Sequence, residues 1–286
     1  MPREGLLRRL AKEIVPPHLL DSVPSGFELI GDIAILNLSS KLETYRFKLA
    51  EAILNSLKPK VRLIVRRTSP AKDPERVHSY EILAGSGGLE TIHRESGCVF
   101  KVDISKVFFT SRLQYERLRI ASMVKPGEVI INMFAGVGPF SIVIAKKVPD
   151  VKIYSIDVNP SAYNLMVENI KLNRVEDKVI PIFGDASQVI ETYRLKGIAN
   201  RVLMPSPEHA IDHLAKAIEA LKLEGYIHYY DTAHRGSDVE EYLKCRLSKV
   251  LDSLNVRWLM TSSRVVRSVS PLKTYVCADV FITKTH

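Results

Sequence analysis

Val129-Ile130-Ile131-Asn132-Met133-Phe134-Ala135-Gly136-Val137-Gly138-Pro139-Phe140 is the stretch on which the fold turns. A run of apolar residues ending at Asn132 reads as a buried strand, and it passes into a glycine-rich turn and then a helix over residues 141–147. Gly136 and Gly138 have no Cβ, so the turn tolerates positive φ and lets a ligand approach the backbone closely. The same rhythm recurs on both sides. Residues 112–123 predict a helix upstream. Downstream come a strand at 152–156, a helix at 160–172, strands at 179–183 and 201–204, a helix at 210–221 and a strand at 226–230. Strand and helix in alternation are the signature of a parallel sheet covered by crossover helices. Residues 256–260 and 275–282 read as two final strands separated by a basic loop, hence a hairpin.

The pattern before residue 110 is different. Residues 3–14 are a basic amphipathic stretch that Pro16 and Pro17 should end. Residues 27–38 read as strand, turn and strand around Gly31-Asp32, and residues 41–57 as a helix. Residues 61–67 alternate as a half-buried strand does, 69–75 are loop-like, and 80–84, 90–94 and 98–102 are further short strands. The expectation is an α+β domain over residues 1–110 followed by an α/β domain over 111–286.

Composition narrows the function classes. With 46% hydrophobic and 26% charged residues in 286, the chain can bury a full core, which argues against disorder, and no internal repeat is present. No apolar run approaches the roughly 20 residues of a membrane-spanning helix, and charges occupy residues 1–10 where a signal peptide has its apolar core. A cytoplasmic protein without membrane contact is expected. Cys98, Cys245 and Cys277 lack CxxC spacing, so they read as reduced packing residues and not as metal ligands. A net charge of +9 makes a polyanion a plausible partner.

The glycine turn gains meaning from two acids. Asp157 closes the next strand, about 20 residues beyond the glycines, where a carboxylate can accept both ribose hydroxyls of an adenosine. Asp185, after the third strand, is placed to meet the adenine amino group. Asn132, Phe134, Gly136 and Gly138 complete the lining of one crevice at the carboxyl ends of adjacent strands. Asp157 and Asp185 could instead be helix N-caps. A dinucleotide dehydrogenase would want a third glycine where Ser141 stands, facing a pyrophosphate. S-adenosylmethionine carries no phosphate, so the shorter glycine pattern suits it better.

With these residues in place, Asn132 to Ile142, NMFAGVGPFSI, closely resembles the DMFAGVGPFSI of the archaeal and eukaryotic tRNA (guanine-37-N1) methyltransferase family. The related wyosine-forming enzymes, tRNA 4-demethylwyosine methyltransferases and aminocarboxypropyltransferases, share much of it. Ile156 to Pro160, Val167 to Asn173, Ile227 to Tyr230, Arg267 to Pro271, Thr91 to Glu95 and Val102 to Val107 also look like family segments, so the likeness spans roughly residues 28–284. The resemblance implies a class I S-adenosylmethionine-dependent methyltransferase Rossmann-type fold with a smaller N-terminal α+β domain, the 256–282 hairpin being its antiparallel edge. It implies Phe108 as an aromatic in the cofactor pocket, Asp157 and Asp185 as cofactor-binding acids, Glu116 as general base and Arg76 as the residue orienting the target base. It also implies a tRNA partner bound at its anticodon stem-loop, tRNAPhe in particular, with no DNA partner and a monomeric enzyme. Read without it, Glu116 pairs on a surface with Arg112 or Arg119, and Arg76 is a solvated loop charge.

The sequence departs from the family in two places. Asn132 stands where the family has Asp, which removes a charge near a cationic cofactor. Met204-Pro205-Ser206-Pro207 replaces the Asn-Leu-Pro that usually follows the methionine, and Pro205 offers no side-chain group to read a guanine edge. Such a loss costs about 1–3 kcal/mol of discrimination. If Pro205, Ser206 and Pro207 line the target-base pocket, a tricyclic 4-demethylwyosine alkylated at carbon 7 joins guanine as an expected acceptor. The chain also lacks the extra N-terminal domain of full-length guanine-37 methyltransferases, as the wyosine enzymes do. Pro139-Phe140 matches the methyltransferases, against aminocarboxypropyl transfer. A tRNA wyosine aminocarboxypropyltransferase using the same cofactor, a catalytically idle RNA-binding homologue and a small-molecule methyltransferase are the other readings. Phosphate contacts are expected from Arg8, Arg9 and Lys12, from Lys58, Lys60, Arg62, Arg66 and Arg67, and from Arg264 and Arg267.

Overall fold

A computed structural model of the chain describes residues 5–69 and 77–285. Its contacts divide it into two compact units. One takes the chain up to Glu95 together with Val99–Arg112, the other Ser96–Cys98 and the chain from Leu113 onward.

The first unit opens with α1 (Leu6–Ala11) and continues through β1 (Glu28–Ile30), β2 (Ile33–Leu36), α2 (Arg46–Leu57), β3 (Leu63–Arg67), β4 (Tyr80–Gly85), β5 (Glu90–Glu95) and β6 (Cys98–Asp103). The Gly31-Asp32 turn lets β1 and β2 pair antiparallel, and β2 then runs parallel to β3 across the α2 crossover. Leu49, Ala50 and Ile53 of α2 pack with Leu7, Leu36 and Ile64 to form this unit's core. Residues 41–45, expected within the helix over 41–57, belong instead to a 3-10 turn, Ser40–Tyr45, that leads into α2.

The second unit contains α3 (Gln114–Met123), β7 (Val129–Asn132), α4 (Pro139–Lys147), β8 (Lys152–Asp157), α5 (Pro160–Leu172), β9 (Val179–Phe183), α6 (Ala186–Thr192), β10 (Ala199–Met204), α7 (Leu214–Ala220), β11 (Leu221–His234), α8 (Val239–Leu251), β12 (Val256–Ser268) and β13 (Lys273–Lys284). Its sheet runs β12-β13-β11-β10-β7-β8-β9. From β9 to β11 every neighbouring pair is parallel, and β13 joins β11 antiparallel, with β12 antiparallel outside it. The expected hairpin edge is present, though both of its strands are longer than the sequence reading gave. The strand order reverses between β7 and β10, and in open α/β sheets the crevice outside the carboxyl ends at such a switch point is where ligands bind. Val129, Ile130 and Ile131 make β7 apolar on both faces, as suits a strand with helices on both sides of its sheet.

Two helices had no counterpart in the sequence reading, α6 and α8. The helix expected over 210–221 is shorter, because residues 209–214 close as turns through bonds from Asp212, His213 and Leu214 amides to carbonyls three residues back, and Leu221 already belongs to β11. Among the described residues no helix is long and apolar enough to cross a membrane.

Candidate active site

The glycine turn between β7 and α4 is built on backbone conformation. Gly138 has φ +88°, and a Cβ there would lie 3.1 Å from Ile142 Cδ1 and from Met166 Cγ. A left-handed residue with a side chain costs about 1–2 kcal/mol before that crowding is counted. Gly138→Ala is therefore expected to lower the melting temperature by several degrees, as differential scanning fluorimetry would read, whereas Gly97→Ala, whose Cβ meets nothing within 4 Å, should lower it less.

Asp157, the last residue of β8, holds this turn in place. Its Oδ2 accepts the Gly136 amide at 2.5 Å and its Oδ1 the Asn159 amide at 3.0 Å. Burial pushes its carboxyl above the ordinary value, against the two amide hydrogen bonds that favour the anion. It is not a helix cap. That task falls to Asn159, whose side chain accepts from the Ser161 and Ala162 amides at the start of α5. A carboxylate has about four acceptor positions, so two remain on Asp157 for hydroxyl donors. Asp185, by contrast, does cap a helix, with Oδ1 accepting the Gln188 amide at 3.0 Å, which leaves Oδ2 toward a further donor.

Beneath the turn lies a wholly buried polar cluster. Asn132 Nδ2 and the Ser155 hydroxyl both donate to Ser141 Oγ, at 3.1 and 2.6 Å. Ser141, the residue that replaces the third glycine, is thus an internal hydrogen-bond partner of the neighbouring strands. Asn132 Oδ1 has no partner among the described residues. A buried acceptor of this kind is completed by a donor such as an ammonium group.

These observations test the fit of S-adenosylmethionine. The crevice offers a carboxylate with spare lone pairs and a second carboxylate, an orphaned amide oxygen lies buried beneath the turn, and residues 132–145 contain no Lys or Arg. Acceptors without cations suit a ribose diol, an amine and a sulfonium, and they suit a pyrophosphate poorly. Asn132, Gly136, Asp157 and Asp185 fit the group. Phe134 of the same turn packs edge-on against His213 at 5.3 Å. Phe108 belongs to the first unit, half-buried in the segment after β6, where Glu28 accepts from the Thr110 hydroxyl and the Ser111 amide. Arg76 lies outside the described residues.

Glu116 sits in the first turn of α3 and is buried, 6% exposed. It does pair with Arg119, through Nε at 2.9 Å and Nη2 at 2.7 Å, but inside the protein and not on a surface. The Tyr230 hydroxyl donates to it at 2.7 Å. Tyr230 stacks on Tyr275, whose hydroxyl donates to the Pro205 carbonyl at 3.1 Å, so one aromatic step connects Glu116 to the loop after β10. In that loop Ser206 and Pro207 are buried and Pro205 is half-buried, and Ser206 O accepts from the Ala210 amide.

Arg119, Tyr230, Tyr275, His228 and Asp279 were not expected as site residues. Strand alternation could have found them. His228 and Tyr230 share one face of β11, and Cys277 and Asp279 one face of β13; the antiparallel register sets His228 against Asp279 and Tyr230 against Cys277. The basic clusters also need correction. Arg66 is held by Glu43 and Glu81, Arg62 by Asp32 and three carbonyls, and Arg67 by Glu28, so these three are spent on the first unit's own structure. Lys58 and Lys60, Arg8, Arg9 and Lys12, and Arg264 remain exposed.

A doubly wound sheet with acceptors at its switch point defines an S-adenosylmethionine-dependent transferase of the Rossmann type. Comparison with known proteins makes this specific. Residues 91–256 match the TRM5/TYW2 methyltransferase domain and residues 7–88 the TYW2 N-terminal domain. The chain belongs to the TRM5/TYW2 methyltransferase family. It is 35% identical over 265 residues to the tRNA (guanine(37)-N(1))-methyltransferase Trm5b of Pyrococcus abyssi, covering 93% of this chain and 77% of that one. It is 36% identical over 254 residues to the tRNA 4-demethylwyosine(37)-methyltransferase Taw21 of Saccharolobus solfataricus, covering 88% of this chain and 92% of that one. Among solved structures, P. horikoshii TYW2 in complex with MeSAdo superposes with a TM-score of 0.78 at 27% identity, covering 98% of both chains.

Proposed function

We propose that this protein transfers the methyl group of S-adenosylmethionine to the purine at position 37 of a tRNA. The observation that carries the proposal is Asp157: a carboxylate fixed by two backbone amides at the carboxyl end of β8, beside the glycine turn, with acceptor capacity to spare. The names of the relatives supply the acceptor, since both act on position 37 of tRNA.

In this reading Asp157 takes the ribose hydroxyls, Asp185 the adenine amine and Asn132 the amino group of the cofactor, with Phe108, Phe134 and the Gly136 and Gly138 backbone shaping the rest of its pocket. When bound, S-adenosylmethionine supplies an electrophilic carbon on a sulfonium. The protein's part is then to align the target base, exclude water and take up one proton. Glu116 is the proton acceptor, Arg76 orients the base, and Pro205, Ser206 and Pro207 line its pocket. The first unit contributes RNA contacts. Pro205 brings no amide to a guanine edge, which favours the wyosine intermediate over guanine as acceptor. We take tRNAPhe as the tRNA, and the enzyme as a cytoplasmic monomer.

The test uses donors labelled separately in the methyl and aminocarboxypropyl groups, with tRNA carrying guanine or 4-demethylwyosine at position 37. Methyl label in the wyosine nucleoside is expected. Aminocarboxypropyl label would reassign the transferred group, and no label in either tRNA would overturn the proposal.

A further inference from the structure

Glu116 belongs to a buried network that reaches well beyond its partner arginine. Its Oε1 takes both Tyr230 Oη and Arg119 Nη2, while Oε2 takes Arg119 Nε alone and keeps the freer lone pair. Arg119 turns its other edge to Asp279, with Nη1 at 2.5 Å and Nη2 at 3.2 Å. Asp279 is in turn fixed by the Ser262 hydroxyl at 2.6 Å and by His228 Nδ1 at 2.5 Å.

The protonation of this network follows from its geometry. Arg201 Nη1, which can only donate, lies 3.0 Å from His228 Nε2, so that nitrogen is the acceptor and the imidazole proton sits on Nδ1, toward Asp279. His228 is therefore neutral, as its complete burial also favours. Burial opposes the charge on Asp279, but the bonds from His228, Arg119 and Ser262 outweigh it and keep the carboxyl well below the usual range. Arg201 is gripped by both oxygens of Glu128. Glu116 and Asp279 thus share the guanidinium of Arg119, and Glu128 holds that of Arg201. Of the other groups beside Glu116, the Cys277 thiol on β13 is pushed up by burial and stays neutral, and Arg117 of the same helix, a further positive charge, lies over the Phe140 ring, 5.9 Å away.

We propose that Tyr230 and Asp279 are positioning residues that act on Glu116 in opposite directions: the Tyr230 hydroxyl supports its carboxylate, and Asp279 competes with it for Arg119. The proposal rests on Glu116 as the acceptor of the proton that the alkylated base atom gives up, the bonding pair staying on the base.

The test is the pH dependence of the single-turnover rate, measured on the tRNA that accepts label, with a thermal melt for each variant. Tyr230→Phe removes a donor to a charged group and should move the acid limb up by about one pH unit. Asp279→Asn leaves Arg119 wholly to Glu116 and should move that limb down by a similar amount. Ser262→Ala, the milder change if Asp279→Asn melts early, frees Asp279 to pull harder on Arg119 and should move the limb up. Limbs that stay in place while rates fall, or that all move in one direction, overturn the inference. Glu116→Gln keeps the two readings apart: a variant as fast as wild type, with its acid limb intact, would refute Glu116 as the proton acceptor, whatever the other variants do.

Discussion

Glu116→Gln lowers the rate of the chemical step by about 10²- to 10⁴-fold, the usual contribution of a positioned general base, while the affinity for S-adenosylmethionine stays within a few-fold of wild type. The physical reason is that glutamine keeps the size of glutamate and can still accept from Tyr230 and Arg119, so the fold of α3 against β11 and β13 survives. What it cannot do is take up a proton. Glutamine also leaves Arg119 facing a neutral partner, but Asp279 continues to pair with it, so no guanidinium is stranded. Single-turnover kinetics beside a cofactor titration separate the two effects. A loss of binding equal to the loss of rate would mean that Glu116 serves the cofactor pocket and not the proton.

Asp157→Ala weakens S-adenosylmethionine binding by about 10²- to 10⁴-fold. Two hydrogen bonds to a charged acceptor are lost, each worth about 1.5–3 kcal/mol, and the turn loses the carboxylate that received the Gly136 amide. The pH dependence has a definite sign. The ribose diol needs the anion, so affinity is complete above the folded carboxyl's pKa and is lost as pH falls through it. Because burial raises that pKa, the loss begins above the ordinary carboxylate range of about 4. For the ligand-free fold the same raised pKa acts in reverse: it contributes stability at low pH that disappears as pH rises through the folded value. Calorimetric titrations of wild type and Asp157→Asn at several pH values check this, since the acid-side loss should flatten in the variant.

The glycine turn, the strands on either side of it and the acids at their carboxyl ends were legible in the sequence because period and composition agree there. A buried strand, two glycines and a helix leave few alternatives. The α8 helix was legible and missed: Leu243, Leu247 and Leu251 recur at four-residue spacing on its buried face, and Asp238 caps it. By contrast, α6 is only two turns long, and its β-branched Val189, Ile190 and Thr192 blur a helical pattern; only the Asp185 cap marks it.

What a linear reading could not supply was partnership. Asp279 is 163 positions from Glu116 in the sequence, yet both hold Arg119, and only the seating of α3 against β13 brings that about. The same applies to the cations. Arg62, Arg66 and Arg67 look like a phosphate-binding cluster until Asp32, Glu43, Glu81 and Glu28 are found beside them. The phosphate contacts proposed for the first unit therefore fall to fewer side chains than its composition suggests, and on that proposal the salt dependence of tRNA binding is expected to be correspondingly shallow.

The most direct test of the claim that the β7–β8–β9 crevice holds S-adenosylmethionine is a crystal structure grown with S-adenosylhomocysteine. The expected result is a ribose whose two hydroxyls lie within hydrogen-bonding distance of Asp157, with the amino group meeting Asn132 Oδ1. A crevice left empty, or filled by the protein's own side chains, would contradict it.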